Sequence, residues 1–388
     1  MEEDRASVRF VDRLAADAVT RGASDIHLEP AAEGYRVRLR IDGILRAVRP
    51  PPPAVAGRVV ARLKLLARMD VAERRLPQDG RVELPGPGGA AVHFRAATCP
   101  TIRGEKLVLR LIEAGGMRGL HELGCPPEPR ALLEEAIARP NGLILVTGPT
   151  GSGKTATLHA ALRTVNTPDR HICTIEDPVE VEAPGATQTA VNRRAGLDFP
   201  TALRAFLRQD PDIIMVGEIR DAETANIAVK AAQTGHLVLS TLHTRTAAGA
   251  VERLIHMGIA PYDVASSLSI VVAQRLVRRL CPACRRPDPL SAAVRRELQL
   301  AESPAPLYTS AGGRECPHCH NGYRGRTGLF QALPMTREIA RAVAEGRSIE
   351  AVSDAARRAG VKDLFTAGLD LVEEGVTSLA EVRRVARE

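Results

Sequence analysis

Residues 141 to 160 read NGLILVTGPTGSGKTATLHA, a short apolar run that enters a glycine-crowded turn carrying one lysine. The run at 142–147 has the length and composition of a buried strand, and the residues after Lys154 predict a helix. Between them, Gly148, four residues, and then Gly153-Lys154-Thr155 fit the phosphate-loop spacing in the strand-to-helix setting that spacing requires. Glycines let successive backbone N–H groups curl around phosphate oxygens, and the helix start adds the positive end of its dipole. The candidate nucleotide ligands are Gly148, Pro149, Thr150, Gly151, Ser152, Gly153, Lys154 and Thr155. Lys154 would neutralise the β and γ phosphates of ATP, and the Thr155 hydroxyl would hold Mg²⁺. A glycine-rich turn without a ligand is the bland alternative, and the strand context speaks against it.

Outward from this turn, strands and helices alternate through residue 275. ICTIED (172–177), DIIMVGE (212–218) and HLVLSTLH (236–243) are apolar runs of the kind that form buried parallel strands, so the expected fold class is α/β with a doubly wound core. A phosphate loop that hydrolyses ATP needs a second buried strand ending in a carboxylate near the metal and the attacking water. Glu218 ends one such strand. Glu176, Asp177 and Glu180 follow another, with Pro178 stopping it, and a carboxylate there can orient or deprotonate water. Asp177 reads equally well as a turn cap. His243 closes a fourth core strand, within reach of a γ-phosphate, whereas His236 receives a structural reading.

Before the core, residues 7–28 read as a helix followed by the turn RGASD. YRVRLRIDGILRAV (35–48) alternates polar and apolar positions, a strand with one wet face and a hairpin at Asp42-Gly43. A helix pattern across AVAGRVVARLKLLARMD and short strands at GRVEL, AVHFRAA and KLVLRLI complete a small mixed α/β domain over residues 1–112. A glycine- and proline-bearing linker is expected at 113–128, the ATPase core at 129–280, a cysteine-rich module at 281–330 and an amphipathic helical tail at 331–388. There is no internal repeat or low-complexity tract.

The 388 residues, 44% of them hydrophobic, suffice for more than one core, and no apolar stretch reaches the roughly 18 to 20 residues of a membrane span. The opening MEEDRASVRF is acidic where a secretory signal would be basic, so a cytoplasmic location is expected. The formal charge of +7 is spread along the chain as solvated faces, and 3% aromatics without tryptophan argue against a base-stacking platform.

CPAC at 281–284 and CPHC at 316–319 place two CxxC pairs 31 residues apart. Each hairpin can present two thiolates, and Cys281, Cys284, Cys316 and Cys319 together would close a tetrahedral, structural Zn²⁺ site. Two pairs outside the α/β core speak against a redox CxxC. His318 and His320 fall outside the four-sulfur shell, and Cys99, Cys125 and Cys173 read as buried small hydrophobes.

LRQDPDIIMVGEIRDAET (207–224) resembles the signature of the secretion and pilus ATPases, which drive type II secretion and type IV pilus assembly. GPTGSGKT, TIEDPVE and TLHT resemble that family's Walker A, Asp box and His box, in order and approximate spacing. GASDIHLEP, RVRLRIDG, LPQDGR and PTIRGEKLVLRL resemble its second N-terminal domain, so the likeness spans nearly the whole chain. It implies a RecA-like motor acting as a homohexamer, with a PAS-like first domain packed against a neighbour's ATP site. Glu218 would be the Walker B acid and His243 the His-box sensor. The catalytic Asp-box glutamate maps onto Glu180 more naturally than Glu176, which stays as the alternative. Arg95 in HFRAAT and Arg110 in LVLRLI match the arginines that approach the phosphates, where a planar fork can bind two oxygens. GYRGRTGLFQAL resembles the assembly branch, whose pilus-retraction relatives generally lack the cysteines.

The leading expectation is a cytoplasmic hexameric ATPase at the inner face of the bacterial inner membrane, powering pseudopilus assembly and protein export by type II secretion. Its partners would be the inner-membrane platform and the cytoplasmic domain of a secretion or pilus membrane protein, with no nucleic acid. Type IV pilus extension is the alternative. A nucleic-acid translocase would also suit a phosphate loop, a zinc module and positive charge, but no basic stripe or aromatic series is visible. A scaffold that binds ATP without turnover is the third reading. Assembly ATPases of the family carry a further N-terminal domain; this sequence begins almost at the second, so a short or truncated member is expected.

Overall fold

A computed structural model of the chain describes residues 2–112, 119–288, 290, 292–298, 306–312 and 316–386. They fall into two compact units, residues 1–115 and 116–388. Residues 113–118 of the expected linker lie outside the described residues.

The first unit runs α1 (Glu2–Thr20), β1 (Ala23–Ala31), β2 (Gly34–Ile41), β3 (Ile44–Val48), α2 (Pro53–Leu66), β4 (Gln78–Pro85), β5 (Ala91–Thr101) and β6 (Gly104–Ile112). The strands form one sheet in the order β3-β2-β1-β6-β5-β4, with antiparallel pairing throughout. Period-two alternation assigns the faces: Ile26, Leu28, Val37, Leu39, Phe94, Ala96, Leu107 and Leu109 pack under Val11, Leu14 and Ala18 of α1 and Val59 and Leu63 of α2. The β2–β3 hairpin turns at Asp42 and Gly43 with positive φ at both (49° and 80°), as expected.

One expectation is corrected here. α1 ends at Thr20, just before RGASD, but the segment expected as a turn runs into β1 from Ala23. The alternation of Ile26 and Leu28 with Asp25, His27 and Glu29 carries a strand period that outweighs the turn residues before it.

The second unit comprises α3 (Pro127–Ile137), β7 (Gly142–Thr147), α4 (Lys154–Val165), β8 (Ile172–Glu176), β9 (Thr187–Ala190), α5 (Phe199–Phe206), β10 (Ile213–Val216), α6 (Ala222–Gln233), β11 (Leu237–Leu242), α7 (Ala247–His256), α8 (Pro261–Ser267) and β12 (Leu268–Leu280). After it come β13 (Arg286–Pro287), α9 (Ala292–Glu297), β14 (Tyr308–Thr309), β15 (Tyr323–Pro334), α10 (Arg337–Ala344), α11 (Ile349–Arg358), α12 (Leu364–Glu373) and α13 (Leu379–Ala386). The core sheet has the order β15-β12-β7-β11-β10-β8-β9; the pairs among β12, β7, β11, β10, β8 and β9 are parallel, and β15 returns antiparallel to β12.

Every residue of β7, β8, β10 and β11 is buried, which explains why they read as continuous apolar runs. Leu143 and Leu145 point to one face, with α5, α6 and α7 and the tail helices; Ile144 and Val146 point to the other, with α3 and α4. That two-sided cover makes a doubly wound α/β core. The sheet also crosses residues 280 and 330, because β12 and β15 pair along almost their whole length from Ile270↔Pro334 to Leu280↔Tyr323. The tail helices start on side-chain caps, such as Thr336 accepting from the Ile339 amide.

Candidate active site

Parallel pairing brings the ends of four core strands to one edge of the sheet: Thr147 lies opposite Leu242 and Ala273, and Val216 opposite Ser240 and Ile175. The turn after β7, Glu176, Glu218 and His243 follow directly from those ends, at the carboxyl edge where doubly wound sheets carry ligands. The edge is laced by hydroxyls. Thr147 Oγ1 donates to the Leu242 carbonyl at 3.1 Å, accepts from the Thr244 amide at 2.9 Å and meets Thr244 Oγ1 at 2.7 Å.

Two glycines of the turn are required by space as well as by φ. A Cβ on Gly148 (φ 154°) would stand 2.5 Å from the Gln274 carbonyl oxygen and from Ser152 Oγ. One on Gly153, which caps α4 at φ 89°, would stand 2.8 Å from Gln274 Nε2. Lys154, 8% exposed, donates through Nζ to the carbonyls of Gly148 at 2.9 Å and Pro149 at 3.1 Å, so it folds over the loop. Burial pulls its pKa down and the Glu218 charge opposes that, while Arg275 adds to it. Thr155 is exposed in the first turn of α4, and Ser152 Oγ is buried without a partner.

Glu218 faces His243 Nε2 at 3.3 Å and accepts from Arg220 at 2.5 Å. Burial would raise its pKa, but the hydrogen bonds and charges of Arg220 and His243 outweigh it and hold the carboxyl below its ordinary value. Glu176, 3% exposed, accepts from Thr174 Oγ1 at 2.8 Å and Gln188 Nε2 at 3.0 Å and faces His159 Nε2 at 3.3 Å. Here too burial pushes up and those partners prevail, lowering the pKa. Glu180, in contrast, is exposed in the loop after β8. His159 and Gln188 carry no motif, and only the folded arrangement joins them to Glu176.

Arg95 and Arg110 belong to the first unit, where they are cross-strand partners on the sheet face opposite the core. Asp25 lies opposite both Arg110 and Arg40, and Arg81 lies opposite Arg95, so one row crosses five strands. Arg110 Nε donates to Asp25 at 2.9 Å, and Arg95 stands 3.5 Å from Asp79. The row depends on strand register, which no local motif encodes.

The four sulfurs of Cys281, Cys284, Cys316 and Cys319 lie within 4.8 Å of one another. Cys281 and Cys316 are 4.0 Å apart and Cys284 and Cys319 3.5 Å, bracketing the roughly 3.8 Å edge of a tetrahedron with zinc–sulfur bonds of about 2.3 Å. The residues therefore fit Zn²⁺, and no histidine joins the cluster among the described residues. His236 is anchored by its Nδ1 at 3.0 Å from the Ala231 carbonyl, a structural role. Cys125 and Cys173 are buried, and burial pushes the Cys125 thiol up to about 12. Cys99 is a correction: it is exposed, because alternation along β5 puts it on the polar face with Arg95 rather than with Phe94 and Ala96.

A strand-turn-helix cradle with a buried lysine, faced across the carboxyl edge by a second-strand acid, defines a phosphate-loop nucleotide-binding core. The model of the type II/IV secretion system protein family matches residues 1–384, and the chain belongs to that family of secretion and pilus-assembly ATPases. It is 46% identical over 395 residues to the type IV pilus assembly ATPase PilB of Pseudomonas aeruginosa, spanning 100% of this chain and 68% of that protein. It is 45% identical over 390 residues to the type II secretion system ATPase E of Vibrio cholerae, spanning 100% of this chain and 76% of the relative. Among solved structures, the pilus retraction motor PilT with bound ADP superposes with a TM-score of 0.64 at 26% identity, covering 96% of both chains. The ATPase DotB of Legionella pneumophila shares the fold, with a TM-score of 0.70 at 23% identity over 97% of this chain and 95% of its own. No helix among the described residues is long and apolar enough to cross a membrane.

Proposed function

We propose that the chain is a homohexameric, RecA-like motor that hydrolyses ATP to drive pseudopilus assembly and protein export by type II secretion. The observation that carries this reading is Glu218, ionised at the end of β10 and facing His243 at the edge that also holds the Lys154 loop. The backbone N–H groups of 148 and 150–155 and the Lys154 ammonium bind the phosphates, and the Thr155 hydroxyl would hold Mg²⁺, which would supply Lewis-acid charge when bound. Glu218 orients the site around the metal, and His243 reads the γ-phosphate through their contact. Glu180 is the base that takes the water's proton: it is exposed, whereas Glu176 is enclosed by Thr174, Gln188 and His159. Arg95 and Arg110 meet the phosphates of a neighbouring protomer from a PAS-like first domain, and the four cysteines hold a structural Zn²⁺.

The ring works at the inner face of the bacterial inner membrane on a membrane platform and on the cytoplasmic domain of a secretion or pilus membrane protein. Type IV pilus extension is the second reading, supported by the 46% identity to PilB beside 45% to the type II secretion ATPase E. ATP turnover by the purified protein with Mg²⁺ tests the motor. Deleting its gene separates the branches: loss of exported protein from the medium supports type II secretion, and loss of surface pili with export intact supports pilus extension.

A further inference from the structure

β12 carries two polar residues to the carboxyl edge that no motif claims: Gln274, 2% exposed, and Arg275, 9% exposed. They follow Ala273, which pairs with Thr147 at the end of β7, and so flank the phosphate loop. Gln274 Oε1 accepts from Thr157 Oγ1 of α4 at 2.7 Å, and its backbone oxygen and amide are what Gly148 and Gly153 make room for. Arg275 then reaches to the other side. Its Nη1 donates to the Gln274 carbonyl at 2.9 Å and its Nη2 to the Arg245 carbonyl at 2.6 Å, two residues after His243. A Cβ on Gly148 would lie 3.2 Å from the same Nη1.

What sets this cation apart is its counter-ion. The buried Lys64 has Glu105 at 2.8 Å, and the largely buried Arg278 has Glu381 at 2.8 Å. Among the described residues no carboxylate pairs with Arg275. Burial, and then the Arg245 charge, hold its pKa below the ordinary guanidinium value. A desolvated cation held only by carbonyl dipoles is costly until an anion completes it. The edge it occupies is where phosphates belong.

We propose that Arg275 is a positioning residue of the nucleotide site: its fork ties the loop carrying His243 to the strand beside the phosphate loop, and the bound phosphates supply its missing negative charge. The proposal rests on reading residues 148–155 as the ATP site. Its chemistry separates charge from geometry. A lysine keeps the charge but has one nitrogen in place of the planar fork whose two nitrogens reach the Gln274 and Arg245 carbonyls separately, and a glutamine keeps neither charge nor fork.

The test measures ATP binding, KM and kcat on the full chain with Mg²⁺, together with thermal unfolding. Arg275→Lys is expected to hold KM within about twofold while kcat falls about tenfold, because only the placement of the His243 loop is lost. Arg275→Gln is expected to raise KM about tenfold and to lower kcat as well, because a charge-assisted contact with phosphate goes too. Hydrogen exchange on the wild-type chain needs no variant to fold: ATP is expected to slow exchange of the amides at 243–246. Full kcat in Arg275→Lys, unchanged KM in Arg275→Gln, or exchange at 243–246 indifferent to ATP in a chain that binds ATP, would each overturn the proposal alone. A wild-type chain that binds no ATP would overturn it together with the nucleotide reading, and the binding measurement tells the two failures apart.

Discussion

Arg38 and Arg110, on the open face of the first unit's sheet, are held by acids, whereas the two cations beside the phosphate loop, Lys154 and Arg275, are held by backbone oxygens. On the open face Arg38 Nη2 donates to Glu29 at 2.7 Å and Arg110 to Asp25 at 2.9 Å. At the core edge Lys154 rests on Gly148 and Pro149, and Arg275 on Gln274 and Arg245. A cation paired to a carboxylate is locally neutral and weakly attractive to a third charge; one paired to carbonyls keeps its charge for an incoming anion. Counter-ions, more than the number of arginines, mark which basic groups are poised for phosphate.

The sharpest way to break that contrast is Glu218→Gln, which removes the acid facing His243 while leaving the loop cations in place. Turnover should fall about 100-fold or more with ATP binding retained, read by steady-state hydrolysis beside equilibrium binding. Undiminished turnover would remove Glu218 from the catalytic machinery; no hydrolysis by the wild-type chain, with ATP bound, would return it to the scaffold reading. Stripping metal, or Cys316→Ser, tests a part of the second unit outside the contrast: loss of one zinc per chain should cost about 3 kcal/mol or more, seen by metal analysis with thermal unfolding. A chain that carries no zinc and melts unchanged in chelator would refute the assignment.

Glu381 sharpens the acid-held side of the comparison. It is 1% exposed and accepts from Arg384 at 2.6 and 2.8 Å and from Arg278 at 2.8 Å. Burial acts to raise its pKa, yet the two arginines carry it from 4.5 down to about 2. A lowered native pKa stabilises above the unfolded value and fades as pH falls, so on the order of 3 kcal/mol should be lost between about pH 4.5 and 2. Glu381→Gln should flatten that part of the stability profile; an unchanged slope would place the titration elsewhere.

Smaller effects test the open face. Arg110→Gln and Arg95→Gln should each lower kcat about tenfold; Arg95→Gln should move stability by less than about 0.5 kcal/mol, the worth of an exposed ion pair, and Arg110→Gln by about 1 to 2 kcal/mol, because it takes a partner from the buried Asp25. A kcat unchanged from the wild-type value in both variants would detach the row from the phosphates. Cys99→Ser, exposed on that face, should shift stability by less than about 0.5 kcal/mol, whereas Cys125→Ser buries a hydroxyl and should cost about 1 to 2 kcal/mol.

The phosphate loop, the four all-buried strands and the cysteine pairs were legible because each is encoded within a few residues. β1 was half legible: its period was present, but the Gly22-Ala23-Ser24 stretch before it read as a turn. Cys99 needed the phase of β5, and the Arg40–Asp25–Arg110–Arg95–Arg81 row needed the register of five strands, which pairing sets at long range. Gln274 and Arg275 were hidden for a related reason. AQRLVRRL (273–280) carries no motif, and only the fold presses the glycines of residues 148 and 153 against Gln274.

β12 is a single run of 13 residues, Leu268–Leu280, that begins beside the phosphate loop's strand and ends against Cys281. From Ala273 to Cys281 an extended chain covers about 26 Å. The sulfur cluster and the nucleotide edge are thus mounted on one continuous beam, braced by β15 along its length, so a metal held by the four cysteines would set the far anchorage of the strand that carries Arg275.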